Sequence, residues 1–153
     1  MIQEENITAP DVISLLDEHV EDMRCSTPGA NSRLLDLTAL QHPSVTFHTS
    51  RNDYGELLGC YTLKELSPGH GEIKSMRVSA THQRRGIARE MTRFLIFEAR
   101  SRRIRMKKLS LETGPGEKWV PAQKLFEGCG FEVGAPYRGY RPDDGSIFMG
   151  LDL

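Results

Sequence analysis

Two patterns of apolar residues alternate along this chain and predict its secondary structure. Short runs rich in apolar residues predict strands, and apolar residues spaced three or four positions apart predict helices. The strand runs are 2–7, 45–49, 57–66, 72–78, 109–113, 131–133 and 147–153. The helical pattern opens at Pro10 and ends before Pro28, recurs between Asn31 and Pro43, and returns at 86–103 and 121–128.

The order of these elements, β-α-α-β-β-β-α-β-α-β-β, predicts a three-layer domain of the α/β class, with a mixed sheet of the kind also found in α+β proteins. Neighbouring strands joined by turns are antiparallel, and we expect parallel strands later in the chain, where the last two helices each connect one strand to the next. We therefore expect a central mixed, mostly antiparallel sheet of about seven strands flanked by about four helices. At 153 residues the chain has the length of one domain, so residues 1–153 are expected to form a single unit.

Composition narrows the class of protein. With 38% hydrophobic and 27% charged residues, the chain is typical of globular proteins. No apolar run approaches the roughly 18 residues of a membrane span, and Met1–Glu5 lacks the basic and apolar regions typical of a signal peptide. Three widely spaced cysteines predict neither a disulfide framework nor a zinc site. We expect a cytoplasmic protein that does not bind a membrane.

The net charge of −1 hides an uneven distribution. Residues 1–22 carry acidic side chains and neither lysine nor arginine, whereas 74–108 is strongly basic. The basic segment indicates a phosphate-rich ligand or nucleic acid, or simply cations at a helix C-terminus. The acidic first helix and the near-neutral total charge argue against nucleic acid.

The basic segment contains a candidate anion site. A predicted strand, 72–78, passes through a short polar linker into a helix that opens at Gly86. Unpaired backbone N–H groups and the positive end of the helix dipole at such a junction suit a phosphate or pyrophosphate. Neither G-x-G-x-x-G nor the P-loop sequence is present; the chain instead has Gln83-x-x-Gly86-x-Ala88.

This motif resembles the Q/R-x-x-G-x-G/A signature of the GCN-five-related N-acetyltransferases (GNAT), which cradles the pyrophosphate of acetyl-coenzyme A. A second segment, Ala122-x-x-Leu125-Phe126-x-x-x-Gly130-Phe131, is similar to the late helix of that family. The last strand also looks like that of the family. More narrowly, these segments resemble a bacterial subgroup of small acetyltransferases. The resemblance spans essentially the whole chain and implies the acyl-CoA N-acyltransferase fold, with acetyl-CoA as cosubstrate and no metal.

The resemblance also implies roles for particular residues. Backbone groups of Met76 and Val78 would bind the acetyl carbonyl and the pantetheine arm, and the amides from Gln83 to Arg89 would bind the pyrophosphate. The residues expected at the coenzyme are Met76, Arg77, Val78, Gln83, Arg84, Arg85, Gly86, Ile87, Ala88, Arg89 and Phe126.

Acetyl transfer to an amine needs a base, because an aliphatic amine with a pKa near 10.4 is almost fully protonated at pH 7. Glu72 is the first candidate, at the position where the histone-modifying branch of the family has its glutamate. The alternative is a solvated strand-end carboxylate paired with Lys74 or an arginine. Glu112 is the second candidate. His48, His70 and His82 have suitable intrinsic pKa values but are expected in loops or edge strands.

One departure from the family pattern concerns the acid that protonates the leaving thiolate. Many members have a tyrosine where this chain has Phe126. Tyr137 or Tyr140 could replace it, and we place Tyr140 among the candidate catalytic residues. Otherwise the enzyme is slow, or the protein is a coenzyme-binding regulator without turnover.

The sequence patterns and the resemblance together predict an N-acetyltransferase that acts on a primary amine by direct attack in a ternary complex. We expect the acceptor to be a small molecule in preference to a protein. The final strand is also available for pairing in a homodimer. The residues expected around the acceptor are Tyr54, Trp119, Tyr137, Arg138, Tyr140 and Arg141.

Overall fold

A computed structural model describes residues 1–26, 42–101, 105–114, 116–137 and 146–153. The strands are β1 (Ile2–Glu4), β2 (Val45–Arg51), β3 (Leu57–Ser67), β4 (His70–Val78), β5 (Lys108–Thr113), β6 (Glu132–Gly134) and β7 (Ile147–Asp152). The α-helices within the described residues are α1 (Pro10–Ser26), α2 (Ile87–Arg100) and α3 (Val120–Gly128). Short 3-10 turns at Ala80–His82 and Glu117–Trp119 precede α2 and α3. The helix predicted between Asn31 and Pro43 lies almost entirely outside the described residues.

Seven strands form one sheet in the order β1-β2-β3-β4-β5-β7-β6. Every neighbouring pair is antiparallel except β4 and β5, which are connected through α2. The prediction of a mixed, mostly antiparallel sheet is therefore confirmed, as is the predicted α/β fold class.

The prediction that both later helices connect parallel strands is wrong for α3. Strand β6, which follows α3, does not pair with β5, because β7 lies between them. β7 carries the buried Phe148 and Met149, whereas all three residues of β6 are exposed. A short exposed strand is better suited to the edge of a sheet than to its interior.

The two faces of the sheet carry separate hydrophobic clusters. On one face α1 contributes Val12, Leu15 and Leu16 to a small cluster with β2 and β3. On the other face α2 and α3 pack over a larger cluster. Adjacent residues Cys60 and Tyr61 of β3 belong to different clusters, as the alternation of side chains along a strand requires. Helices therefore cover both faces, and the predicted three layers are present.

Candidate functional site

The site begins where two strands separate. The parallel pairing of β4 with β5 covers His70–Ile73 and Lys108–Leu111 and stops there. β5 continues beside β7 as far as Thr113, while β4 continues beside β3 as far as Val78. The gap between the strands opens into a cleft of about 760 Å³. This volume is within the range of small-molecule binding sites.

A β-bulge in β4 accompanies this separation. Lys74 pairs with Thr62 and Arg77 with Cys60, so two residues of β4, Ser75 and Met76, lie opposite one residue of β3. Ser75 has a φ of 53°, in the left-handed region. A bulge bends the strand that contains it, and here it lies in the half of β4 that no longer pairs with β5.

One end of the cleft is the start of α2. Gly86 is the N-cap of this helix, and its φ of 80° is one that glycine adopts without a steric cost. A Cβ built on Gly86 would meet no protein atom within 4 Å, so the backbone there is open to the cleft. The amides of the first helical turn have no acceptors within the helix. A glycine-capped helix start that faces a cleft is therefore suited to a phosphate group.

Almost all of the predicted coenzyme residues line this cleft, but Arg85 does not. Arg84 and Arg89 contribute exposed guanidinium groups near the start of α2, whereas the equally exposed Arg85 is absent from the wall. The predicted residues that line the cleft are Met76, Arg77, Val78, Gln83, Arg84, Gly86, Ile87, Ala88, Arg89 and Phe126.

The side chain of Arg77 forms ion pairs within the protein. Its two terminal nitrogens lie 2.8 Å from carboxylate oxygens of Glu18 and Asp22 on α1. Asp22 also lies 3.1 Å from the Nζ atom of Lys118, which precedes α3. The hydrogen bond from Arg77 holds the pKa of Asp22 below its ordinary value. Arg77 therefore fixes α1 against β4, and its charge is already compensated.

Glu72 lies on β4 one residue before the pairing with β5 ends. Its side chain is only 1% exposed and still lines the cleft. Its Oε2 atom accepts a hydrogen bond of 2.7 Å from the hydroxyl of Tyr137, and its Oε1 atom lies 3.6 Å from Nζ of Lys74. The pairing with Lys74 matches one sequence alternative, but burial rules out a solvated strand-end carboxylate. Glu72 is an ionisable group on the cleft wall with little access to bulk water.

Glu112 also lines the cleft, as the first residue of β5 beyond the pairing with β4. Glu72 pairs with Ser110 across β4 and β5, and Glu112 follows Ser110 by two positions, so both carboxylates share one face of the sheet. Glu112 is partly exposed, in contrast to Glu72. Both predicted bases are therefore brought to the cleft, with Glu72 the more deeply buried.

The three candidate histidines have different surroundings. His70 lies beside the Glu72 region, with Nε2 2.7 Å from the hydroxyl of Ser110. Burial lowers the pKa of His70 below its ordinary value; Lys108 adds to this effect and Glu72 opposes it. His82 lines the cleft in the turn before α2, 3.3 Å from Glu56. His48 is buried in β2 and stacks on Tyr61, with 4.8 Å between ring centroids.

Only some of the aromatic residues predicted at the site line the cleft. Phe126 is 6% exposed and packs edge-on against Phe131 at 5.5 Å, so the late helix presents a hydrocarbon ring to the cleft. Trp119 lines the cleft as predicted, packed so closely on Gly114 that a Cβ there would lie 2.1 Å from the indole nitrogen. The prediction for Tyr54 is wrong, because this residue is 96% exposed in the β2–β3 turn, outside the cleft. Tyr140, Arg138 and Arg141 lie outside the described residues.

Sequence reasoning missed His19, which lines the cleft from α1. It follows Val12 and Leu16 at helical spacing, and this was a usable signal for its burial. Burial lowers the pKa of His19 to about 4, Arg77 adds to the effect and Asp22 opposes it. The imidazole is therefore neutral at physiological pH.

Two observations bear on what the cleft can hold. The hydroxyl of Thr113, on the cleft wall, is buried and has no hydrogen-bond partner among the described residues, as expected where a polar ligand binds. Within the same residues, no group of three histidine, cysteine or acidic side chains is arranged to hold a metal ion. None of the described helices is both long and apolar enough to span a membrane.

This chain is similar to known proteins over most of its length. The model of the family described as "Acetyltransferase (GNAT) family" matches residues 12–131. A Bacillus subtilis protein, "Uncharacterized N-acetyltransferase YsnE", is 40% identical over 148 residues, which cover 97% of this chain and 96% of the relative.

Two solved structures have the same fold. A Klebsiella pneumoniae protein assigned as an acyl-CoA N-acyltransferase superposes with a TM-score of 0.80 at 25% identity, covering 100% of this chain and 97% of the other. A GNAT family acetyltransferase from Elizabethkingia anophelis, solved with acetyl-CoA bound, gives a TM-score of 0.71 at 20% identity, with coverage of 100% and 97%.

Proposed function

The chain belongs to the GNAT family of acetyltransferases, and we propose that it transfers an acetyl group from acetyl-coenzyme A directly to a primary amine bound in the same cleft. Family membership makes the protein an acetyl-CoA-dependent N-acetyltransferase. The proposal adds the route of transfer, the base and the class of acceptor.

The coenzyme half of the cleft supports acetyl-CoA as the donor. We assign the pyrophosphate to the first turn of α2, where Gly86 exposes the backbone and Arg84 and Arg89 add positive charge. The unpaired part of β4, from the bulge to Val78, presents backbone groups that no longer pair with β5. These groups, with the hydroxyl of Thr113, suit the amides of the pantetheine arm.

Glu72 is the proposed base, and its position is the observation that carries the proposal. A buried carboxylate lines the cleft from the paired part of β4, one residue before the pairing with β5 ends at Ile73. A base near the acceptor is useful because only about one aliphatic amine in a few thousand is neutral at pH 7. Glu72 would take the proton from the attacking nitrogen, directly or through one water molecule.

The leaving thiolate does not require an acid from α3. Phe126 has no proton to donate, and its ring is buried against Phe131. A thiol with a pKa near 8.5 leaves as a tolerable anion, which water can protonate afterwards. Tyr140 stays a prediction for this step. A regulator without turnover is the second candidate function, favoured only by the phenylalanine at position 126.

For the acceptor, we propose a small primary amine in preference to a protein lysine. The walls away from α2 include His19 and Trp119, which enclose the cleft from α1 and from the segment before α3. A walled cleft favours an acceptor that can enter completely over one at the end of a bulky chain.

Thiol release from acetyl-CoA, measured over spermidine, tyramine, L-lysine and a lysine-containing peptide, tests the proposal. We expect turnover with at least one of the small amines. Glu72→Gln should lower kcat/KM at pH 7 by about 100-fold, the usual contribution of a general base, with recovery above about pH 9 as the amine deprotonates unaided.

Glu112→Gln is the matched control, because Glu112 is the other carboxylate on the same face of the cleft. It should lower the rate much less than Glu72→Gln. The reverse order would move the base to Glu112. Binding of acetyl-CoA without turnover of any amine would favour the regulator.

A further inference from the structure

The surroundings of Glu72 are built from three neighbouring strands. His70 and Glu72 are two residues apart on β4, so their side chains share one face of the sheet. Ser110 of β5 is the pairing partner of Glu72. Phe148 of β7 pairs with Glu112, two positions beyond Ser110, and lies on the same face. Tyr137, from the segment after β6, lies over this surface.

Packing fixes the ring of Tyr137 in place. Its centroid lies 5.9 Å from that of His70 and 5.7 Å from that of Phe148, with interplanar angles of 65° and 88°. Edge-to-face contacts of this kind are favourable. The hydrogen bond between His70 and Ser110 in turn holds the imidazole. The Tyr137 hydroxyl is thus held at Glu72 by contacts that do not involve the carboxylate itself.

From this geometry we infer that Tyr137 is a positioning residue, whose hydroxyl fixes the orientation of the Glu72 carboxylate toward the acceptor. The inference rests on the proposed role of Glu72 as base. The last torsion of a glutamate side chain is broad, so the chain alone does not set the carboxylate plane. A hydrogen bond of 2.7 Å from a packed ring to Oε2 selects one orientation.

This role differs from that of an acid for the leaving thiolate. A hydroxyl has one proton, and in Tyr137 that proton is donated to Glu72. Tyr137 therefore acts on the base rather than on the leaving group.

Tyr137→Phe removes the hydroxyl and keeps the ring contacts. We expect kcat/KM for the best small amine of the panel to fall about tenfold, the effect of one hydrogen bond to a charged group, with the KM for acetyl-CoA unchanged. The loss should lie in kcat, with the KM for the amine changed by less than about twofold, because the hydroxyl contacts the base and not the acceptor. Carbon-13 NMR of glutamate carboxyls gives a second readout that needs no turnover. In it the Glu72 resonance, identified by its loss in Glu72→Gln, should change its chemical shift at neutral pH in Tyr137→Phe, because the hydrogen bond to Oε2 is lost.

Tyr61→Phe is the matched control. Tyr61 is buried in β3, and its hydroxyl has no hydrogen-bond partner among the described residues. This variant should leave both kcat and the Glu72 resonance unchanged.

An unchanged Glu72 resonance and an unchanged kcat in Tyr137→Phe would overturn the inference, even if the variant were less stable. If the Glu72 resonance moves but the wild-type protein acetylates no amine of the panel, the proposed function fails while the Tyr137–Glu72 contact stands. A tenfold loss carried by the KM for the amine, with kcat unchanged, would reduce Tyr137 to a structural residue.

Discussion

The two halves of the cleft are built in different ways. The half that we assign to the coenzyme uses one continuous stretch, the end of β4 and the start of α2, and presents mostly backbone together with exposed arginines. The half that we assign to the acceptor uses side chains from α1, three strands and the segment after β6, several of them buried or hydrogen-bonded to one another. A phosphate cradle can thus be made by local chain geometry, whereas a buried carboxylate needs partners from distant parts of the chain.

The largest expected effect is in the coenzyme half, for Gly86→Val. A β-branched residue at a φ of 80° costs about 1–3 kcal/mol, and its side chain would occupy the space open to the cleft. We expect the protein to fold and to lose detectable binding of coenzyme A in calorimetry.

Gly55→Val is a close control for this change. Gly55 also has a φ of 80° and open space around its Cβ, but it lies in the β2–β3 turn outside the cleft. The Gly55→Val variant should be destabilised by about as much as Gly86→Val and should keep its affinity for coenzyme A. Tight binding by Gly86→Val, or equal loss in both variants, would contradict the assignment of the cradle.

The next effect tests the acceptor half through His19. Its pKa is about 4 in the folded protein and about 6.5 when unfolded, so the unfolded chain binds a proton first as the pH falls. The stability from the neutral form is therefore complete above about pH 6.5 and is lost toward pH 4. At pH 5 the loss is about 2 kcal/mol, to which His70 adds in the same direction.

Denaturant unfolding at pH 7 and pH 5 measures this loss. His19→Gln should reduce the pH dependence, whereas the exposed His42→Gln should not. An undiminished dependence in His19→Gln would show that the acceptor half is more hydrated than its burial indicates.

The smallest effect distinguishes two neighbouring arginines. Arg89→Gln should weaken the binding of coenzyme A by about fivefold at most, because exposed charge pairs contribute up to about 1 kcal/mol, and the loss should shrink at high salt. Arg85→Gln, an equally exposed change that does not face the cleft, should have almost no effect. Equal effects from both arginines would mean that general positive charge, and not the wall of the cleft, attracts the coenzyme.

The same contrast explains what could be predicted from the sequence. Helix α1 and strand β2 were predicted within about two residues of their observed ends, because local patterns and proline or glycine stops determine them. The grouping of most residues of 83–89 on one wall of the cleft could be predicted because they are contiguous in sequence. The order of β6 and β7 could not be, since it depends on which strand buries more apolar surface.

The side-chain contacts of the acceptor half could not be predicted from the sequence, because they join residues that are far apart in the chain. The partners Tyr137 and Glu72 are 65 residues apart in sequence, and His70 and Ser110 are 40 apart. No local pattern indicates such contacts. Glu72 itself was found only through the resemblance to a family, and its burial became apparent only in the folded chain.

Nitrogen-15 NMR of the labelled protein, recorded during a titration with coenzyme A, shows whether the start of α2 binds the pyrophosphate. We expect the amides of residues 83–89 to shift most strongly and saturably, and Gly86→Val to abolish these shifts. Saturable shifts confined to other parts of the protein, or no shifts at millimolar coenzyme A, would contradict this expectation.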